Sequence, residues 1–405
     1  MFQDICNPMD TQNTPIHIRL WNKDFWFLAL ANTLFTMAVY MQMVIVFKTL
    51  ISAGVSWQMT GLAVGGYALG LPLLGPYCSI LVQRFRRNRV CIWTMLLMMA
   101  CLLVPVFYHA DNPLVATRTM VVTRVVTGAL FGLAQMVLTS TLVIDTCEAR
   151  QRTEANYAAA WFGRFAVSLG PLAAILLLRS HGMDTAVWVS AGLTMAAILL
   201  VLMVRFPFRT PEDDVKLFSL DRFFLPEAWA LSVNLLVIMV AIGLLLAGQL
   251  STPLSFAALM PGFLLALMTE KYVFVNAELK SETVCALILM IFAILLMMSG
   301  KQTTPYTIPV LIGLGMGLVG SRFLLFFIKL SHHSKRGTSQ SSFFLSWEMG
   351  LAAGIGWGVY MCPTSSLADA SPNMGILSIA LILIVVALML YVIFTHSWYM
   401  KHKNR

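Results

Sequence analysis

The chain has no polar stretch long enough to fold as a water-soluble domain: charged residues make up only 11% of its 405 residues, and hydrophobic residues 59%. That balance excludes an ordinary soluble globule. Acidic residues are scarce, with 18 Asp and Glu against 27 Lys and Arg. The 7 histidines (His17, His109, His181, His332, His333, His396 and His402) fall in predicted loops or helix ends. No His/Asp or His/Glu grouping therefore supports catalysis or metal binding, and neither enzyme activity nor a cofactor is expected. The 7 cysteines (Cys6, Cys78, Cys91, Cys101, Cys147, Cys285 and Cys362) are odd in number and lack metal-ligand spacing, so they read as small apolar packing residues. The first 24 residues contain Asp4, Asp10 and Pro15 and lack the basic-then-apolar pattern of a cleavable signal, so the first apolar span is expected to double as the insertion signal.

What the chain does have is apolar runs. Stretches at 25–47, 57–82, 90–108, 119–144, 155–178 and 186–204 are followed, after one charged loop, by stretches at 228–247, 253–272, 283–299, 306–328, 341–361 and 374–395. About 20 apolar residues cross a bilayer core of roughly 30 Å as a helix, the fold that satisfies backbone groups where lipid cannot. The expected fold class is thus an all-α polytopic membrane protein of twelve transmembrane helices in two six-helix bundles. The expected divisions are an N-terminal bundle over 1–205, a central loop over 206–226 and a C-terminal bundle over 227–405.

An even number of spans puts both termini on one side. The segments on that side carry 20 lysines and arginines, against four (Lys48, Arg118, Arg179 and Lys301) on the other. Positively charged loops stay in the cytoplasm, so both termini are expected to be cytoplasmic, with the protein in the inner or plasma membrane. Those rim cations, including Arg19, Arg150, Arg209 and Arg405, account for the net charge of +9 through topology and contact with anionic lipid, without a nucleic-acid partner.

The halves look like copies. Gly128 and Gly132 in span 4 recur as Gly313 and Gly317 in span 10, and Trp161 with Gly170 in span 5 recurs as Trp347 with Gly356 in span 11, at offsets of about 186 residues. A transporter built from two related halves shows such a repeat. Pro72 and Pro76, Gly170-Pro171 and Pro261-Gly262 remove or weaken mid-helix hydrogen bonds and favour bends.

These motifs resemble those of the major facilitator superfamily along essentially the whole chain. Gly75-Pro76, Arg84, Arg87 and Arg89 resemble its basic loop between spans 2 and 3, with Gln83 where that loop usually has aspartate. Arg124 with Gly128 resembles its fourth-span motif, and Asp145 with Arg152 its acid-to-arginine loop, with Arg336-Gly337-Thr338 the counterpart in the second half. Trp161 to Pro171 is similar to the exporter motif of span 5, keeping Gly170-Pro171 but with Ala166 and Ala174 in place of two glycines. Ser346 to Gly350 and Ser219 to Phe224 resemble segments of drug- and sugar-efflux members. The resemblance implies alternating access, gating by Gly75, Gln83, Arg84, Arg87, Asp145, Arg152, Gly170 and Pro171, and outward transport.

Four ionisable residues sit well inside spans: Arg124, Arg164, Arg322 and Glu348. Each costs about 2.5–3.5 kcal/mol at a helix centre, so each must face a cavity or a partner. By helical rise, Arg322 and Glu348 share the inner half of spans 10 and 11. Glu348 either couples protons, with Arg322 and Arg124 as modulators, or forms a permanent bridge with Arg322. Arg164, at mid-depth, either binds a carboxylate or phosphate group or pairs with Glu348. Asn32, Tyr40, Gln135 and Asn234 are candidates for hydrogen bonds to a solute, with Trp161 and Trp347 stacking on its apolar part; the alternative for each polar residue is interhelical adhesion. Span 1 has no acid at its middle, which argues against cationic drugs.

The expectation is therefore a monomeric, proton-coupled secondary transporter that exports a small organic solute and is surrounded by membrane lipids. Uptake of an organic anion or metabolite, and a non-transporting sensor or lipid-moving protein on the same fold, are the alternatives.

Overall fold

A computed structural model describes residues 20–107, 113–148, 151–206, 216–275, 277–300, 306–332, 335–362 and 373–403. Among the residues named above, Asp4, Cys6, Asp10, Pro15, His17, Arg19, His109, Arg150, Arg209, Lys301, His333 and Arg405 lie outside these segments.

Eleven helices among the described residues are long and apolar enough to cross a membrane: α1 (Lys23–Ser52), α2 (Trp57–Arg84), α3 (Arg87–Phe107), α4 (Leu114–Asp145), α5 (Arg152–Ser180), α6 (Met183–Met203), α7 (Pro226–Ala247), α8 (Pro253–Tyr272), α9 (Leu279–Met298), α10 (Thr307–Leu330) and α12 (Met374–His402). The helix α11 (Arg336–Tyr360) has 25 residues, enough to span, but is less apolar. Its first half carries Thr338, Ser339, Gln340, Ser341, Ser342 and Ser346, all buried against protein. That is why hydropathy places its start near 341 and the backbone starts it at Arg336.

Local chemistry sets the ends. The Asn22 side chain accepts from the Phe25 amide at 2.8 Å to start α1, and Asn373 accepts from the Gly375 amide at 3.1 Å to start α12. Pro72 and Pro76 do interrupt α2: its first α-helical stretch ends at Gly70, a turn follows, and a short 3-10 segment (Gly75–Tyr77) leads into Cys78–Arg84. Pro171 and Pro261 lie inside α5 and α8, which continue through them.

The packing repeats between halves. In the first, α1 packs on α5 and α6, α2 on α4, and α3 on α4 and α6; in the second, α7 packs on α11 and α12, α8 on α10, and α9 on α10 and α12. Each pair in the second half is the first-half pair advanced by six helices. The two halves meet where α2 packs on α11 and α5 on α8.

Glycines allow the close approaches. A Cβ on Gly70 would lie 2.0 Å from the Val125 carbonyl oxygen and 2.9 Å from the Gly128 Cα, and one on Gly262 would lie 2.9 Å from the Gly313 Cα. Gly128 and Gly313, paired by the sequence repeat, thus do the same work in α2–α4 and α8–α10. Gly70→Val is expected to destabilise the fold by about 1–3 kcal/mol through overpacking, seen as a lower thermal midpoint in detergent. Gly192→Ala, where a Cβ meets nothing within 4 Å, is the control. Equal midpoints for the two variants would contradict this packing.

The central loop is tied to both halves. The Ser219 amide donates to the Pro76 carbonyl at 3.1 Å, the Arg222 amide to the Thr338 hydroxyl at 2.9 Å, and the Leu225 amide to the Ser342 hydroxyl at 2.7 Å. Burial, then the neighbouring Arg87 charge, lower the Arg222 guanidinium from its ordinary value, opposed by Asp221 and Asp145.

Candidate functional site

Arg164 projects from α5 to the junction of the halves. Its guanidinium is buried, donates from Nη1 to the Ser321 hydroxyl of α10 at 2.7 Å, and leaves Nε and Nη2 without a hydrogen-bond partner. Its central carbon lies 4.7 Å from the Trp161 ring centroid, 5.6 Å from that of Trp347 and 5.8 Å from that of Phe343. The two tryptophans related by the repeat therefore flank one cation from opposite halves. Gly320 makes room: a Cβ there would lie 2.7 Å from the Trp347 ring and 2.8 Å from Arg164 Nε. A planar cation with open donors between aromatic faces suits a carboxylate or phosphate attached to an apolar body. Among the ion pairs of the described residues none includes Arg164, so the alternative pairing with Glu348 is not formed.

Glu348, next to Trp347 on α11, is also buried at the junction. One carboxylate oxygen accepts from the Tyr40 hydroxyl of α1 at 2.8 Å, and the other has no hydrogen-bond partner. Tyr40 is held by a close approach of α1 and α5, where a Cβ on Gly170 would lie 2.7 Å from the Tyr40 Cβ. The sequence thus places Tyr40, Glu348, Arg164, Trp161 and Trp347 on the surfaces that meet across the halves.

The alternative of a Glu348–Arg322 bridge is not formed; Arg322 forms an ion pair with Glu282 of α9. Equal depth does not mean equal direction: successive helical residues are about 100° apart, so once Ser321 faces Arg164 the next side chain turns away, towards α9. Asn234 is likewise removed from the junction, since its amide donates to the Ala387 carbonyl at 3.1 Å and to the Thr395 hydroxyl at 3.4 Å, joining α7 to α12. Asn32 and Gln135 meet each other: Gln135 donates to Asn32 at 2.5 Å, and Asn32 donates to the Ala159 carbonyl at 2.8 Å, so they connect α1, α4 and α5 within the first half. Arg124 is buried with its guanidinium carbon 4.8 Å from the Tyr67 ring centroid, and its three nitrogens lack hydrogen-bond partners.

Of the candidate gating residues, Gly75, Gln83, Arg84, Arg87, Asp145 and Arg152 cluster at the end of the bundle where α1 begins, whereas Gly170 and Pro171 lie inside α5, with Gly170 packed against Tyr40. Arg87 donates to Asp145 at 2.5 Å, so the acid of the acid-to-arginine loop engages α3. Arg152 is half-buried with Nε unpartnered, Arg84 is exposed, and Gln83 accepts from the Ser79 hydroxyl at 3.4 Å. A Cβ on Gly75 would lie 2.0 Å from the Phe223 ring, so this glycine seats the central loop. Asp145→Asn is expected to lower the thermal midpoint through loss of a charge-assisted bond of about 1.5–3 kcal/mol. The charge swap Arg87→Asp with Asp145→Arg should recover part of it, and no difference between swap and single variant would contradict the pair's role.

Sequence reading missed several junction residues. The Tyr157 hydroxyl of α5 donates to Glu270 of α8, joining the halves at the N-terminal end. At the opposite end Lys48 donates to the Ser251 hydroxyl at 2.8 Å and Arg179 to the Ser251 carbonyl at 2.9 Å. Glu270 sits beside Lys271 at the end of its span and reads as rim charge, and Ser251 reads as turn; neither signals a partner in the other half. With both ends bridged, Arg164 and Glu348 are enclosed between them.

The architecture matches solved transporters. The POT family transporter PepTSo superposes with a TM-score of 0.65 at 12% identity, covering 94% of this chain and 99% of its own. The human organic anion transporter TETRAN gives 0.66 at 15% identity over 90% and 98% of the two chains, and a D-xylose-proton symporter 0.63 at 13% over 91% and 96%. At these identities the likeness establishes the fold. No individual curated protein sequence matches the chain. The sequence model of the Major Facilitator Superfamily matches residues 28–356, most of the chain, so this protein belongs to the Major Facilitator Superfamily.

Proposed function

We propose that the protein is a proton-coupled secondary transporter that moves a small organic anion outward by alternating access. The observation that carries this reading is the buried Arg164 guanidinium, with two unpartnered nitrogens, framed by Trp161, Trp347 and Phe343 where the halves meet. The carboxylate or phosphate of the solute takes the open donors, and its apolar part lies against the rings. Rocking of the halves breaks the Tyr157–Glu270 contact at one end or the Ser251 contacts at the other, exposing the site to one side at a time.

Coupling is assigned to Glu348, whose bond to Tyr40 crosses the halves. Arg124, stacked on Tyr67, is assigned a tuning role, whereas the pairing of Arg322 with Glu282 places it in the frame of the second half. The outward direction rests on the similarity of Trp161 to Pro171 and Ser346 to Gly350 to exporter segments. Purified protein in liposomes of defined orientation tests the reading: acid-gradient-driven movement of an organic anion from the N-terminal side supports it, and movement only towards that side reverses the direction. Absence of flux across a library of anionic and neutral solutes, from protein that retains cooperative unfolding, would favour a sensor.

A further inference from the structure

A cavity that shares no lining residue with the Arg164 site lies on the lateral surface where α2, α4 and α11 meet, near the end of the bundle opposite the start of α1. Its volume is about 880 Å³, within the roughly 300–1,000 Å³ of small-molecule sites. Leu62, Leu69 and Val122 on its walls are 53%, 70% and 62% exposed, so it opens sideways rather than into the protein. In a membrane-spanning segment that side faces acyl chains.

The floor is the seam between the halves. A Cβ on Gly61 would lie 2.5 Å from the Tyr360 amide nitrogen, and one on Gly356 would lie 2.4 Å from the Gly65 Cα, so the backbones touch and leave a trough above them. From Met59 to Leu69 the trough runs ten residues of helix, about 15 Å into the bilayer. Its mouth is polar. Arg118, near the start of α4, is exposed and lines the cavity with Trp357 and Tyr360 of α11. Aromatic rings with a polar edge and an arginine are what headgroup depth favours.

Arg118 is also one of few cations at this end. Of the other two described there, Lys48 and Arg179 both engage Ser251, leaving Arg118 as the charge that faces the cavity.

We infer that this trough is a binding site for an anionic membrane phospholipid, one acyl chain lying along α2 and α4 over the α2–α11 seam and the phosphate at Arg118. A lipid there touches both halves at their contact line. The assignment stands on the cavity and its charge and does not depend on what the protein transports.

Trp357 provides the readout. Wild-type protein and Trp357→Phe are reconstituted in vesicles of phosphatidylcholine containing either brominated phosphatidylglycerol or brominated phosphatidylcholine at the same fraction; the difference between the two proteins isolates quenching of Trp357. The expected result is at least twofold more quenching of Trp357 by the brominated anionic lipid, lost in Arg118→Glu and retained in Arg118→Lys. Val122→Phe, which fills the trough, should lower quenching by both lipids. Equal quenching by the two lipids, or no change in Arg118→Glu, would overturn the headgroup assignment. A Trp357 difference of zero would overturn the site itself.

Discussion

Glu348→Gln is expected to abolish acid-driven transport while leaving counterflow exchange of solute in place. The carboxyl group is buried between the halves, with Tyr40 donating to one oxygen and the other unpartnered. A charge removed from water at such a position costs several kcal/mol unless it is compensated, and no ion pair of a described residue includes Glu348. Glutamine has the shape of the protonated acid and keeps an oxygen for Tyr40, so it imitates the loaded state without being able to discharge. Solute-for-solute exchange, which needs no proton movement, survives; accumulation, which requires release of the proton, does not. Tyr40→Phe should lower accumulation less, because it removes the donor and keeps the titrating group. Undiminished acid-driven accumulation by Glu348→Gln would dismiss Glu348 as the coupling residue.

The second large effect belongs to Arg164. Replacing it with alanine should weaken binding of anionic solutes about 10- to 100-fold, the scale of one charge-assisted hydrogen bond of about 1.5–3 kcal/mol, while neutral analogues lose far less. Lysine is expected to restore charge but not the planar stacking between Trp161 and Trp347, so Arg164→Lys should recover only part of the affinity. Gly320→Ala tests the same site without touching the charge. Its Cβ would displace Arg164 Nε and the Trp347 ring, giving a smaller loss of the same selectivity. Equal losses for charged and neutral solutes, read by titration of purified protein, would remove the anion reading.

The helices were legible in the sequence because a lipid-spanning helix needs only length and apolarity, and both are written along one dimension. Even α8, with Pro261-Gly262 at its middle, keeps the expected Pro253–Tyr272. The repeat was legible for a related reason: glycines at helix contacts admit no larger residue, so Gly128 and Gly313 retained their places in both halves. Azimuth was harder. Depth alone put Arg322 beside Glu348, and one step of helical rotation sends it to Glu282. Asn234 and the Asn32–Gln135 pair show the same limit, since a buried amide satisfies its hydrogen bonds with whichever helix lies against it. Tyr157 and Glu270 could not be found at all by spacing, because 113 residues separate them and only the fold brings them together.

The trough at Arg118 and the site at Arg164 divide the cations by environment. Arg118 is exposed on the lateral surface near the start of α4, and Arg164 is buried between aromatic rings. That division explains why an arginine-to-lysine change should be tolerated at Arg118, where charge suffices, and not at Arg164, where planarity matters.

The most direct test of the central claim is simultaneous measurement of proton and organic-anion flux in liposomes, for wild type, Glu348→Gln and Arg164→Ala. Coupled flux is expected in the wild type, solute exchange without proton movement in Glu348→Gln, and loss of both fluxes for anionic solutes in Arg164→Ala. Proton movement that persists in Glu348→Gln in step with anion transport would contradict that claim.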